Sequence, residues 1–115
     1  MKTSLYLDIE TVRDDTIPDS LFSIAEEKNP QQINFLPTYN KIISISIGWI
    51  KDWTFKVRSL QGTEPEMITE LFKYVDKFIL TGFNILGFDI PFICMRAMKY
   101  GIEIPIGLKV YWEKP

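Results

Sequence analysis

A chain of 115 residues, 46% apolar and 24% charged, has the size and make-up of one globular domain, 1–115. The absence of histidine excludes a His general base, a Ser-His or Cys-His couple and a His-ligated zinc within the chain, and the single cysteine, Cys94, excludes an internal disulfide. A net charge of −2 gives no overall basic footprint, so contact with nucleic acid would have to be local or carried by metal ions.

No apolar run approaches the roughly 20 residues of a membrane helix, and no signal-peptide pattern opens the chain, so a cytoplasmic location is the default expectation. In Leu5-Tyr6-Leu7-Asp8-Ile9-Glu10-Thr11 the apolar residues alternate with polar ones at the period of a strand. At about 3.3 Å per residue, Asp8 and Glu10 leave the same face about 6.6 Å apart. Two adjacent carboxylates repel each other and resist burial. The stretch holds no Lys or Arg, which makes a bound hard divalent cation the simplest partner. The bland alternative is a strand end whose acids face water.

Residues 12–40 are irregular and contain Pro18, Pro30 and Pro37. A helix is expected over Asp19–Lys28, capped by Asp19 or Ser20, with Leu21, Phe22, Ile24 and Ala25 as its apolar side. So long a connection in a small domain is often functional or mobile. Residues 41–50 read as a second strand. Ile43, Ile45, Ile47 and Trp49 share one face, and Ile42, Ser44, Ser46, Gly48 and Ile50 the other. After a tight turn at Lys51-Asp52, Trp53 to Arg58 reads as a third strand with one wet face, placed at the sheet edge by Lys56 and Arg58.

Thr63-Glu64-Pro65-Glu66 is a helix start, and the helix should run to about Lys77. The apolar run Phe78–Phe83 fits a buried parallel strand, and Gly82 allows close backbone approach. Asp89 is then placed to cap a helix that Gly101 closes, with Cys94 in its core face. As an isolated residue Asp89 is most simply a cap. Behind a central strand, however, it also lies where α/β sheets gather ligands, and a strand parallel to the first would bring it near Asp8 and Glu10. The tail Ile102–Pro115 is expected to stop short of another element.

Two stretches carry a resemblance. Leu7-Asp8-Ile9-Glu10-Thr11 resembles the first motif of the DEDD 3′–5′ exonucleases, and Phe83-Asn84-x-x-x-Phe88-Asp89 their second. The closest variant is the proofreading domain of family-B DNA polymerases and its stand-alone bacterial relatives, which Lys41–Trp49 and Arg96-Ala97 also resemble. The resemblance implies a ribonuclease-H-like α/β fold: three antiparallel strands, a helix, a parallel strand and a helix. It implies Asp8, Glu10 and Asp89 as ligands of two Mg²⁺ or Mn²⁺ ions, and Thr11, Asn84 and Phe88 as contacts to the 3′ end of a single strand, DNA ahead of RNA. For Phe88, core packing is an equal alternative. Lys41, Lys51, Lys56 and Arg58 are further candidates for the strand, although surface charge is the simpler role.

The chain departs from the family's third motif, a Tyr or His four residues before a fourth acid. Tyr111 lacks an Asp at that spacing, and Glu113 is two residues away. The expectations are therefore an amino-terminal piece or a shortened protein, weak or absent activity alone, and self-association through an uncovered sheet edge. The competing readings are a non-catalytic nucleic-acid-binding or assembly module on the same fold, and an unrelated α/β domain with exposed acids.

Overall fold

The computed structural model describes residues 2–112. Four strands form one mixed sheet: β1 (Thr3–Arg13), β2 (Asn40–Lys51), β3 (Thr54–Ser59) and β4 (Phe78–Thr81). Their order is β3-β2-β1-β4, with β1–β2 and β2–β3 antiparallel and β4 parallel to β1. The helices are α1 (Asp19–Lys28), α2 (Glu64–Phe72), α3 (Ile90–Lys99) and α4 (Ile106–Trp112). No helix among the described residues is long and apolar enough to cross a membrane. This mixed α/β arrangement is the ribonuclease-H-like architecture that the resemblance implied.

The strict alternation in β1 decides which face is covered. Leu5, Leu7 and Ile9 are buried and pack with Ile45 and Ile47 of β2, Met67, Ile68 and Leu71 of α2, and Ile90, Ile93, Cys94 and Ala97 of α3. Burial pushes the Cys94 thiol up to about 11, so it is an inert core group. Asp8 and Glu10 consequently lie on the opposite, exposed face.

The second strand does not keep one alternation. Glu10 pairs with Ser44 but Thr11 pairs with Ile42, so Ile43 is an unpaired extra residue. This bulge turns Ile42 into the core and leaves Ile43 51% exposed, the reverse of the face expected for Ile43. The edge strand also differs. All six residues of β3 are exposed, and its apolar side looks away from the core: Phe55 lies over Gly48, edge-to-face with Tyr6. Arg58 instead reaches the turns that follow α2, donating to the Tyr74 hydroxyl at 2.6 Å. Asp52 and Trp53 form the turn between the strands, both at positive φ.

Helix α2 begins with the expected capping box, Thr63 and Glu66 bonding each other's backbone N–H. It ends at Phe72 rather than near Lys77. There the hydrogen bonds tighten, Lys73 and Tyr74 donating to Glu70 and Leu71, and turns lead on to Lys77. The parallel strand is likewise shorter than Phe78–Phe83 and ends at Thr81. Gly101, at φ +69°, closes α3 as expected. The tail adds a helix that was not expected, α4. Its start is held from a distance, Gly107 N–H donating to Asp76 Oδ1 at 2.9 Å. On the free side of β4, Leu80 N–H donates to the Tyr111 hydroxyl at 3.1 Å. Glu113 lies outside the described residues.

The connection 14–39 builds its own small core from Phe22, Ala25 and Ile33, with Ile17, Leu36 and Tyr39 against it. In α1, Phe22 and Ala25 face inward while Leu21 and Ile24 are about half exposed, so the apolar side is narrower than expected. Neither Asp19 nor Ser20 caps this helix; Pro18 precedes it, and Asp19 pairs with Arg13.

Candidate active site

The site is built where β4 stops pairing with β1. The ladder between them ends at Tyr6 opposite Thr81. Gly82 then passes so close to β1 that a Cβ there would sit 2.7 Å from the Leu7 carbonyl oxygen. Asn84 takes a left-handed conformation (φ 51°, ψ 32°) and opens a wide turn, Ile85–Asp89, in which Ile90 N–H donates to the Ile85 carbonyl five residues back. A Cβ at Gly87 would sit 2.6 Å from the Asn84 side-chain oxygen, so a larger residue there would displace that side chain.

This turn delivers Asp89 to the vacated edge of β1. Asp89 is 5% exposed, and its Oδ2 accepts from the backbone N–H of Ile9 at 3.1 Å. The carboxylate thus sits against the residue between Asp8 and Glu10. The expected capping role is not observed. Asp89 itself has helical dihedrals and makes no cap bond with its side chain, because the oxygen is engaged 80 residues away on β1.

The electrostatics follow from that placement. Burial pushes the Asp89 carboxyl up to about 6, and the negative charges of Asp8 and Glu10 push the same way, against the pull of the Ile9 N–H. Among the described residues no Lys or Arg side chain bonds any of the three acids. Nor do any three His, Cys, Asp or Glu side chains among them stand close enough together to cage a metal ion as arranged. The three carboxylates share a neighbourhood and a repulsion rather than a finished coordination shell. An all-oxygen, uncompensated donor set suits a hard divalent cation.

A cleft of about 460 Å³ opens beside Asp8 and Asp89 and is lined by Ile9, Phe35, Phe83, Asn84, Gly87 and Phe88. Of the residues singled out in the sequence, Asp8, Asn84, Phe88 and Asp89 meet here. Glu10 shares the exposed face of β1, and Thr11 is half-buried at the bulge beyond it. Phe88 is half-buried, tilted against Phe92 at 5.3 Å and perpendicular to Phe35 at 5.9 Å, so it bridges the core and the cleft. None of Lys41, Lys51, Lys56 and Arg58 lines the cleft; Lys41 pairs with Asp15 and Arg58 with Glu70. Phe35 and Phe83, 61% and 97% exposed, are cleft residues to which the sequence assigned no role. Phe83 adjoins Asn84 in the second motif, and Phe35 lies in the long connection whose length alone marked it for attention.

A second acidic group lies deeper and is of the opposite kind. Arg96, 2% exposed, donates to both oxygens of Glu64 at 2.6 and 2.9 Å, to Asp14 at 3.2 Å and to the Pro37 carbonyl at 2.9 Å. Glu64 also accepts from Ile42 N–H, and Asp14 from Thr16 and Lys99. Burial works against both carboxylates here, but the hydrogen bonds from Arg96, Ile42 and Tyr100 to Glu64, and from Thr16, Lys99 and Arg96 to Asp14, outweigh it and hold both below the usual range.

No curated protein matches the chain. A family model does, over residues 12–115, a span that holds Asn84, Phe88 and Asp89 and begins just after Asp8 and Glu10. The chain therefore belongs to the family described as a predicted 3′–5′ exonuclease related to the exonuclease domain of PolB.

Proposed function

We propose that this domain hydrolyses phosphodiester bonds at the 3′ end of single-stranded nucleic acid, DNA ahead of RNA, using two Mg²⁺ or Mn²⁺ ions. One observation carries the proposal: a buried Asp89 carboxylate bonded to Ile9 N–H and within reach of the charges of Asp8 and Glu10, with no Lys or Arg side chain bonded to it among the described residues. Such a charge cluster is costly unless a cation relieves it. Asp8, Glu10 and Asp89 would hold the ions, and ions so placed supply an activated water and stabilisation of the leaving oxygen. The chain's own contribution is positional. Ile9 N–H fixes one oxygen of Asp89 and leaves the other for a ligand. Asn84 and Phe88 border the space beside it, where a terminal nucleotide would lie, and Thr11 would support the strand from the bulge.

The test is release of mononucleotides from 3′-labelled single-stranded DNA with Mn²⁺. The expected result is slow release that falls at least about 100-fold in Asp8→Ala and in Asp89→Asn, as for loss of a group stabilising the transition state. Release that persists in either variant would overturn the proposal. A non-catalytic binding module has one observation in its favour, the absence of a ready three-ligand cage among the described residues. Metal-dependent binding of the strand without any release would select that reading. Self-association through the outer side of β4, where Tyr111 takes the Leu80 N–H, is a separate proposal, and a single monomeric species in sedimentation at high concentration would contradict it.

A further inference from the structure

Phe35 is an exposed aromatic on a rigid mount. It ends a tight turn, Ile33–Phe35, within the long connection. Ile33, beside it in that turn, is 1% exposed in the small core, and the amide of Asn40 donates to the Ile33 and Leu36 carbonyls at 2.7 and 2.9 Å. Two residues further on, buried Arg96 grips the Pro37 carbonyl from α3, the helix that Asp89 precedes. The turn is thus fixed to the same helix as the acid. Yet Phe35 stays out of the small core beside it and is 61% exposed. Burying such a ring would gain about 1.5–3 kcal/mol, and with Phe83 and Phe88 it makes an aromatic patch in one cleft, the kind of surface that marks a ligand groove.

The surroundings say which kind. The Phe35 ring stands perpendicular to Phe88 and lines the cleft that also holds Asp8 and Asp89. One wall is an uncharged π surface and the other a cluster of carboxylates. An anionic sugar-phosphate meets the second wall only through cations, while a flat, uncharged base meets the first. We propose that Phe35 is a substrate-positioning residue that stacks an unpaired base of the bound strand, its turn held in place by Arg96. This deepens, and rests on, the exonuclease reading of the same cleft. It adds a contact from a segment outside the two acidic motifs.

The experiment measures binding of a short oligothymidylate ending in 3′-terminal 2-aminopurine, its last linkage a phosphorothioate to slow cleavage, in Mg²⁺. Wild-type protein should bind and change the probe's fluorescence. Phe35→Ala should lose about 5- to 100-fold in affinity, the range for one stacked base. Phe35→Tyr should restore binding, and Phe35→Leu, which keeps apolar bulk without a π face, should not. Trp53→Ala, at a still more exposed aromatic outside the cleft, should bind as wild type. Binding unchanged in Phe35→Ala, full binding in Phe35→Leu, or an equal loss in Trp53→Ala would each overturn the inference. The Tyr and Leu variants decide the matter even if alanine disturbs the turn. If wild type binds and Asp89→Asn abolishes the metal dependence while Phe35→Ala is silent, this inference alone fails. If wild type shows no metal-dependent affinity for single strands, the exonuclease reading fails and takes this one with it.

Discussion

Two groups of carboxylates sit on this small domain and are treated in opposite ways. Asp14 and Glu64 are buried around Arg96 with their oxygens occupied, and their pKa values are lowered. Asp89 is as buried but faces two more acids and has a raised pKa. The first group joins the residue just after β1 to α2, α3 and the Pro37 segment, and its charges cancel within the protein. The second leaves its charge for something outside the protein to cancel. Burial of an acid therefore does not mark a site by itself; the missing countercharge does.

The largest effect should come from removing the countercharge of the first group. Arg96→Met would strand Glu64 without its cation and leave Asp14 only half-exposed Lys99, and is expected to cost about 3–5 kcal/mol of unfolding free energy in urea. A cost below about 1 kcal/mol would mean that the cluster is not the clamp its geometry suggests. Next comes the metal. Mn²⁺ at about 100 times its dissociation constant should stabilise the wild type by about 2.7 kcal/mol, and Asp89→Asn should lose most of that gain. Full stabilisation of the variant would move the metal away from these acids.

The two groups should also respond to pH with opposite signs. A carboxyl whose pKa is raised in the fold holds its proton more tightly when folded, so it costs stability as pH rises from about 4 through about 6. Lowered carboxyls contribute stability that is present above about 4 to 4.5 and lost as pH falls below it. Metal-free protein should thus be most stable near pH 4.5–5. Asp89→Asn should flatten the decline toward neutral pH, adding about 1–2 kcal/mol at pH 7, less than the full shift implies because the cleft admits water. Thermal melts across this range check it. The smallest effect is expected for Lys99→Ala, below about 1 kcal/mol, since Lys99 is half exposed and Asp14 keeps Thr16 and Arg96.

Much of the fold was legible because local pattern and tertiary structure agree. The alternation of β1, the Thr63 capping box and the stop at Gly101 each follow from residues within a few positions. What was not legible depended on distant partners. The bulge that exposes Ile43 is fixed by pairing with Glu10 and Thr11 across the sheet. Helix α4 gains its first hydrogen bond from Asp76, which no local signal around Pro105 and Gly107 announces. The acids of the site were visible as a motif, but Asp89 looked like a cap because its true partner, Ile9 N–H, is 80 residues away. Phe35 carried no pattern at all; only the folded connection brings it to the cleft.

The five-residue turn before α3 has an evolutionary side. A turn of this width holds one residue more than an ordinary helical turn, and such insertions recur at functional positions. Deleting Leu86 would restore regular winding and swing the carboxylate about 100° around the axis of α3, the step of one residue in an α-helix. Because Asp89 runs straight into α3, the core residues Ile90, Ile93, Cys94 and Ala97 would be turned with it. What aims this acid is therefore a tally of backbone units, and a reading-frame-preserving loss of a single codon could silence the cleft with every proposed ligand still encoded.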